Sequence, residues 1–457
     1  MGEKEHERDL LQELITRRSL IKSAGVAGGV LASGPLIAAC GSSNSSSKSA
    51  SAAAAVSNSP EAKELRDLLG ISTADAQKLS GKTLNYGAIL PLSGPGAQYA
   101  TEEQNGVKLA IAQMKSYFGM NINYNPQDHK SGDPAAGAAA ARQLGVAGFG
   151  AAINSYVGVF GATVPAISKY KMLSLDPGGG TYPPFFGAPY FWGWRAMTPL
   201  DALTGAYLYV KAKLPKAKRV ALVVWDLGDV FLKPIKASLN TAVAAGGQQF
   251  VGTQLQKVGQ QDYSSILSGL KALNPDVIHL ASYATDPAFF MKQYVTSGLK
   301  AQVIGSEYTP AAVQVAGSAY DKYWAATDFF TFNHPPNPFS RFFMKTYSAM
   351  FGQAPNVFYE PNYYECTLGY LELCRRVAVK GGDINNGEQL QNALLANPTF
   401  KSVYGGDSST VGKVVLDPKT HTPSSRAVGL FKFTNNGTQS VQLASFDIGG
   451  KNFKVLQ

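Results

Sequence analysis

Hydrophobic and polar positions along the chain switch repeatedly between a strand period and a helix period. "TLNYGAILPL", from Thr83, is strand-like and runs into a glycine-rich bend, "SGPGAQYA". Beyond it Val107, Ala110, Ile111 and Met114 share one helical face, and Thr101 with Gln104 reads as the capping box of that helix. "NINYNPQDH" is the next strand. In "GDPAAGAAAARQLG", Asp133 as N-cap and Pro134 at the first helical position predict a clear helix start, with Gly145 closing it. A second series begins near Asp201. "RVALVVWD" is a fully apolar strand, and "FLKPIKASLNTAVAAGG" is a helix ended by glycines. "DYSSILSGLKALNPDVIHLASY" is helix, Asn-Pro turn and buried strand, and "DPAFFMKQYVTSGLKAQVIGSE" repeats the cycle. Strands alternating with helices predict parallel sheets with crossovers, here in two series. Near the C-terminus "GKVVLDP" and "RAVGLFKFTNNG" read as strands, with a turn at Asn435-Asn436-Gly437.

The first 81 residues follow neither series. Arg17 and Arg18 precede Leu20, Ile21 and Lys22 and a short apolar run to Ala39. That run is too short and glycine-rich to span ~30 Å of hydrocarbon permanently, and it reads as a signal peptide. "TRRSLIK" resembles the twin-arginine export pattern. Ile37-Ala38-Ala39-Cys40 resembles a lipobox, in which Cys40 would be lipidated and become the mature N-terminus. Residues 41–59 are a Ser/Ala-rich tether unable to build a core, with a reach of about 25 Å. Ser59-Pro60 then opens a short amphipathic helix with Leu65, Leu68 and Leu69 on one side. The expected organisation is 1–40 signal peptide, 41–81 tether and short helix, and a globular body from Lys82.

Composition adds exclusions. Among 457 residues 45% are hydrophobic and 16% charged, enough for two cores in a chain longer than one domain usually spans. The net charge is +10, but the lysines are scattered, which argues against a nucleic-acid surface. Cys366 and Cys374 are eight apart in a helical stretch, about 12 Å, too far to bridge. The bend lacks the Gly-Lys-Ser/Thr ending of a P-loop, and Tyr99 stands where a dinucleotide fingerprint requires its third glycine. There is no G-x-S-x-G elbow and no His-Glu-x-x-His. The five histidines are isolated, and Asp133 beside Asp128-His129 is more simply a helix cap than a metal ligand. No catalytic constellation, cofactor or metal is expected.

Several stretches resemble the type I periplasmic substrate-binding proteins of ABC importers, in the leucine/isoleucine/valine-binding group. They are "LPLSGPGAQYA", "DHKSGDPAAGAAAARQL", "FWGWRAMTPLD", "VALVVWDLGDVFLKPIKASLNTAVAAGG", "QDYSSILSGLKALNPDVIHLASY" and "NYYECTLGYLELCRRV", in the family's order. The resemblance implies an α/β fold of two Rossmann-like lobes joined by three crossover strands, with a ligand cleft between them. Lobe 1 would comprise 82–197 and 328–412, and lobe 2 198–327 and 413–457.

It also implies ligand contacts. The family holds an amino acid's carboxylate with hydroxyls and backbone N–H groups at helix starts, where a positive helix end favours an anion. Tyr99 matches its cleft tyrosine and Ser155 its carboxylate-binding serine, with Tyr156 able to share that role. Gly178, Gly179 and Thr181 in "SLDPGGGTYPP" form either the third carboxylate loop or a flexible turn. On lobe 2 the usual tyrosine-glycine position falls on Val230-Phe231, with Trp225, Asp226 and Asp229 nearby, and Asp229 enters the candidate site. Tyr283 and Glu307 match positions that contact the ligand or its ammonium. The function implied is a membrane-anchored, extracytoplasmic lipoprotein that captures an amino acid or related small carboxylate or amide for an ABC permease. Two alternatives are a ligand-sensing lipoprotein for a signalling partner and, in a different class, a nucleotide-dependent α/β enzyme.

Overall fold

Each strand of the alternating series reaches its place in one of two parallel sheets. The computed structural model describes residues 55–457 except 196, 198, 199, 332 and 357. The twin arginine, Cys40 and residues 41–54 of the tether lie outside the described residues.

The first lobe is built on β1 (Thr83–Leu90), β2 (Asn121–Asp128), β3 (Ala151–Asn154), β4 (Leu173–Asp176) and β5 (Phe191–Gly193). They form a parallel sheet in the order β2-β1-β3-β4-β5. The second lobe contains β6 (Arg219–Trp225), β7 (Gln249–Gln256), β8 (Val277–Ala281), β9 (Gln302–Gly305) and β10 (Tyr323–Thr327), parallel in the order β7-β6-β8-β9-β10. Helices cover both faces of such sheets, which explains the unbroken apolar run of β6, where only Arg219 is exposed. Strands β11 (Thr399–Ser402), β12 (Gly412–Leu416) and β13 (Pro423–Ser425) pair among themselves. Strands β14 (Ala427–Thr434), β15 (Gln439–Asp447) and β16 (Lys451–Val455) extend the second sheet antiparallel from β10. Asn435, Asn436 and Gly437 turn from β14 to β15 with positive φ.

Two expectations change. The bend's helix runs Ala97–Phe118 with Gly96 as N-cap, so Thr101 and Gln104 lie inside it rather than capping it. The N–H of Ala97 closes onto the Gly94 carbonyl at 3.0 Å, and this turn starts the helix early. The chain does not pass to the second lobe at 413. β12 pairs antiparallel with β11, and Phe400, Val414 and Leu416 are buried in the first lobe's apolar cluster, so the passage comes after β13. The helix Pro60–Leu69 is docked: Leu65 is buried in that cluster, with Leu68 and Leu69 packed against it.

The first lobe's two longest helices, Ala97–Phe118 and Tyr359–Val379, lie backbone to backbone. A Cβ on Gly106 would fall 2.3 Å from the Glu360 carbonyl oxygen, so only glycine fits there. Cys366 and Cys374 are free and buried on the second of these helices.

A buried ion network ties the three interlobe passages together. Asp328 follows β10 and accepts from Arg195, which follows β5, at 2.6 Å. Through its other oxygen it accepts from Arg426, which precedes β14, at 2.8 Å. Arg426 also pairs with Glu365 at 2.6 Å. All four residues are buried. Two cations against two anions leave this network neutral.

Candidate functional site

In open parallel sheets ligands bind beyond the carboxyl ends of the strands, where the strand order reverses. Here that rule applies twice, face to face. β1 leads to Tyr99 and Glu103, β3 to Ser155 and Tyr156, and β4 to Gly178 and Gly179. From the other lobe β6 ends in Trp225, β8 leads to Tyr283, and β9 to Ser306 and Glu307. All of these line one cavity, closed further by Arg195, Met197, Phe358 and Tyr359. Its volume is about 60 Å³, against the ~10–15 Å³ one water requires. That is room for a few water-sized groups.

Glu307 is the central bridge. Its Oε1 accepts from Tyr99 at 2.7 Å and from Tyr359 at 3.1 Å, both on the first lobe, and its Oε2 accepts from the Ala284 N–H at 3.2 Å. The two tyrosine rings meet edge to face at 5.0 Å. Burial pushes the Glu307 carboxyl up to about 8, despite these donors and the nearby Arg195 charge.

Glu103 is the second acid of the wall. Tyr363 donates to its Oε1 at 2.6 Å, Ser155 approaches the same atom at 3.5 Å, and Oε2 is buried without a hydrogen-bond partner. Burial raises this carboxyl to about 8 as well. Asp176, at the end of β4, is fully buried. It accepts the N–H groups of Gly178, Gly179 and Thr181 at 2.9, 3.1 and 2.9 Å, and the Thr181 hydroxyl at 2.7 Å.

Of the residues singled out in the sequence, Tyr99, Ser155, Tyr156, Gly178, Gly179, Tyr283 and Glu307 meet in this cavity. Tyr156 does so with φ at +83°, a conformation that is costly for a bulky side chain and held here by packing. Its ring lies over Gly96 and Gly132, where a Cβ would come within 3.1 and 2.9 Å of it. Two residues do not join. Asp229 is exposed at the start of helix Asp229–Ala245 and pairs with Lys233 at 3.1 Å, because that helix turns its polar face to solvent. Thr181 spends its hydroxyl on Asp176 and is absent from the wall. Sequence reading missed Glu103, Arg195, Ser306 and Tyr359. Glu103 had a signal, since it stands one helical turn after Tyr99 and so shares its face.

Among the described residues no group of three or more His, Cys, Asp or Glu side chains could hold a metal ion. None of the described helices is long and apolar enough to cross a membrane.

Two facing parallel-sheet lobes around a small cavity without a catalytic constellation define a two-lobed small-molecule-binding protein. The chain belongs to the periplasmic binding protein family, whose model matches residues 83–438. This is the type I, leucine/isoleucine/valine-binding branch, which comprises solute-binding proteins rather than enzymes and places the chain outside the cytoplasm. A Leu/Ile/Val-binding protein homolog from Brucella melitensis is 24% identical over 334 residues, 69% of this chain and 83% of the relative. The leucine-binding protein LivK of Thermotoga maritima superimposes with a TM-score of 0.67 at 18% identity, covering 79% of this chain and 98% of that one. A solute-binding protein of an ABC transporter from R. palustris, in complex with benzoate, gives 0.65 at 19% identity, covering 81% and 97%.

Proposed function

We propose that the protein is a lipid-anchored receptor that captures a small solute bearing an amino or amide group and delivers it to the permease of an ABC importer. Amino acids, amides and small amines form the class from which that solute comes. The observation that carries this reading is Glu307: a buried carboxyl of one lobe held by two hydroxyls of the other, in a small space that both lobes line. A solute that competes for these hydrogen bonds couples its own capture to the positions of the lobes, because a ligand shifts a conformational equilibrium only through unequal affinity for its two states. The match to ABC-transporter solute-binding proteins supports the delivery role. The lipobox at Cys40 and the twin arginine at Arg17–Arg18 support anchoring after export.

The test uses protein extracted from membranes of cells expressing the full chain. Native mass spectrometry should find a small molecule bound one to one, and calorimetry after its removal should return micromolar affinity, about −8 kcal/mol. Cys40→Ser should move the protein from the membrane fraction to the soluble envelope fraction. A stripped protein that rebinds neither its own co-purified molecules nor any small amine, amide or amino acid would sink the receptor reading. A Cys40→Ser protein that stays with the membrane would sink the anchor.

A further inference from the structure

The first-lobe wall of the cavity offers acceptors where an anion would need donors. Asp176 already takes the N–H groups of Gly178, Gly179 and Thr181 and the Thr181 hydroxyl. At the bend, the Gly96 N–H goes to the Ser131 hydroxyl at 2.8 Å and the Ala97 N–H to the Gly94 carbonyl at 3.0 Å. The Ser155 hydroxyl faces a carboxylate oxygen of Glu103. A solute carboxylate placed here would lie against the acids Glu103 and Asp176, with the donors beside them already engaged.

Two polar atoms on the wall, one per lobe, are buried and unpartnered: Glu103 Oε2 and Ser306 Oγ. Glu103 is 3% exposed. A buried polar atom left unsatisfied is expensive unless a partner arrives from outside the chain. Arg195, the cation among the described residues of the wall, does not supply that partner. Arg195 gives Nε to Asp328 at 2.6 Å, Nη2 to Thr327 at 2.9 Å and Nη1 to the Gly178 carbonyl at 3.3 Å, and it stacks on Phe358 at 4.3 Å. Its charge belongs to the neutral network of the interlobe passages, so Glu103, Asp176 and Glu307 remain as excess acid. Aromatic rings, among them Trp225 and Tyr283 edge to face at 4.9 Å, supply walls that favour an organic cation.

We infer that the solute is a small organic amine without a carboxylate, whose ammonium donates to Glu103 Oε2 and Ser306 Oγ. This deepens the receptor reading and rests on it. The unbound Glu103, facing Glu102, Asp176, Ser155 and Tyr363, holds its proton to about 8. An arriving ammonium favours the ionised form and expels that proton.

The experiment is calorimetry on the stripped, detergent-solubilised full chain at pH 7, in two buffers of different ionisation enthalpy. The probes are butylamine, benzylamine and 1,4-diaminobutane, against leucine, benzoate and acetamide. At least one amine should bind at least 100-fold more tightly than every carboxylate and the amide, with net release of up to one proton. Glu103→Gln, which keeps the shape and the Tyr363 hydrogen bond, should weaken that amine at least tenfold and remove the proton release. Ser306→Ala should weaken it several-fold, and carries the test if Glu103→Gln fails to fold. Leucine, benzoate or acetamide outbinding the amines would overturn the inference while sustaining the receptor reading. Amine affinity unchanged within twofold in Glu103→Gln, or in Ser306→Ala where that variant stands in, would overturn it too. Binding by none of the probes would overturn it, and the co-purified molecule would then decide separately on the receptor reading.

Discussion

At the scale of single residues, the cavity shows how burial sets what a side chain can do. Glu307 is charged only at the expense of desolvation, and three donors offset that expense. Removing one of them without altering shape isolates its contribution. In Tyr359→Phe the 3.1 Å donor is lost while the ring contact with Tyr99 remains. Taking a donor from a buried acceptor costs about 1–3 kcal/mol. The variant should therefore melt at lower denaturant concentration with unchanged m-value, and the Glu307 carboxyl should titrate still higher than in the parent. Retention of the parent's midpoint would show that Tyr359 only packs. Tyr359 also marks a limit of the sequence. It starts a helix more than two hundred residues from Tyr99, and no local pattern announces that both will reach one carboxylate. Tyr99 and Glu307 were legible through family-like motifs, and Glu103 through helical spacing. Arg195 and Ser306 owe their place to how two distant segments meet. Asp229 misled because its residue type suits a cleft while its helix faces solvent.

At the scale of elements, strands were easier to read than passages. The apolar run of β6, the Asp133-Pro134 helix start and the Asn-Asn-Gly turn each declare themselves locally, and each formed. The third passage did not, because "GKVVLDP" reads as a strand without saying which lobe it joins. Its apolar positions are buried against Phe400 in the first lobe. The passages are instead held by charge. Asp328 is shared by Arg195 and Arg426, and breaking a buried pair by removing one partner costs about 3–5 kcal/mol, since the partners stay buried and uncompensated. Asp328→Asn should lower unfolding stability by that order in urea titrations. It touches all three passages at once, so ligand affinity should fall together with stability. Arg426→Met, which removes one cation and leaves Arg195 with Asp328, should lose less of the affinity. An Asp328→Asn protein as stable as the parent would show that shape, not charge, holds the passages.

At the scale of the whole molecule, the buried carboxyls make stability depend on pH in an unusual direction. Burial raises Asp176 to about 6, Glu102 to about 7, Glu103 and Glu307 to about 8, and Glu360 to about 9. In the unfolded chain all five would titrate near ~4. The folded form therefore binds more protons than the unfolded form between about 4 and each raised value, and its stability falls as pH rises through that window. Three buried histidines act oppositely, His421 among them, lowered by desolvation. His129 is lowered to about 4 and His279 to about 3, both by desolvation, so their contribution is complete above ~6.5 and lost only as pH falls below it. The interval from pH 6.5 to 9 thus isolates the carboxyls. The unliganded protein should lose at least a few degrees of melting temperature across it, roughly 2–4 °C for each kcal/mol in a domain of a few hundred residues. Glu360 lies outside the cavity wall, so Glu360→Gln should flatten the curve with or without a ligand. Glu103→Gln should flatten it too, but a bound amine should flatten it only while Glu103 is present, because the ammonium compensates the charge that rising pH creates there. A melting temperature that climbs from pH 6.5 to 9 in the unliganded protein would mean that these carboxyls are ionised in the folded state at neutral pH.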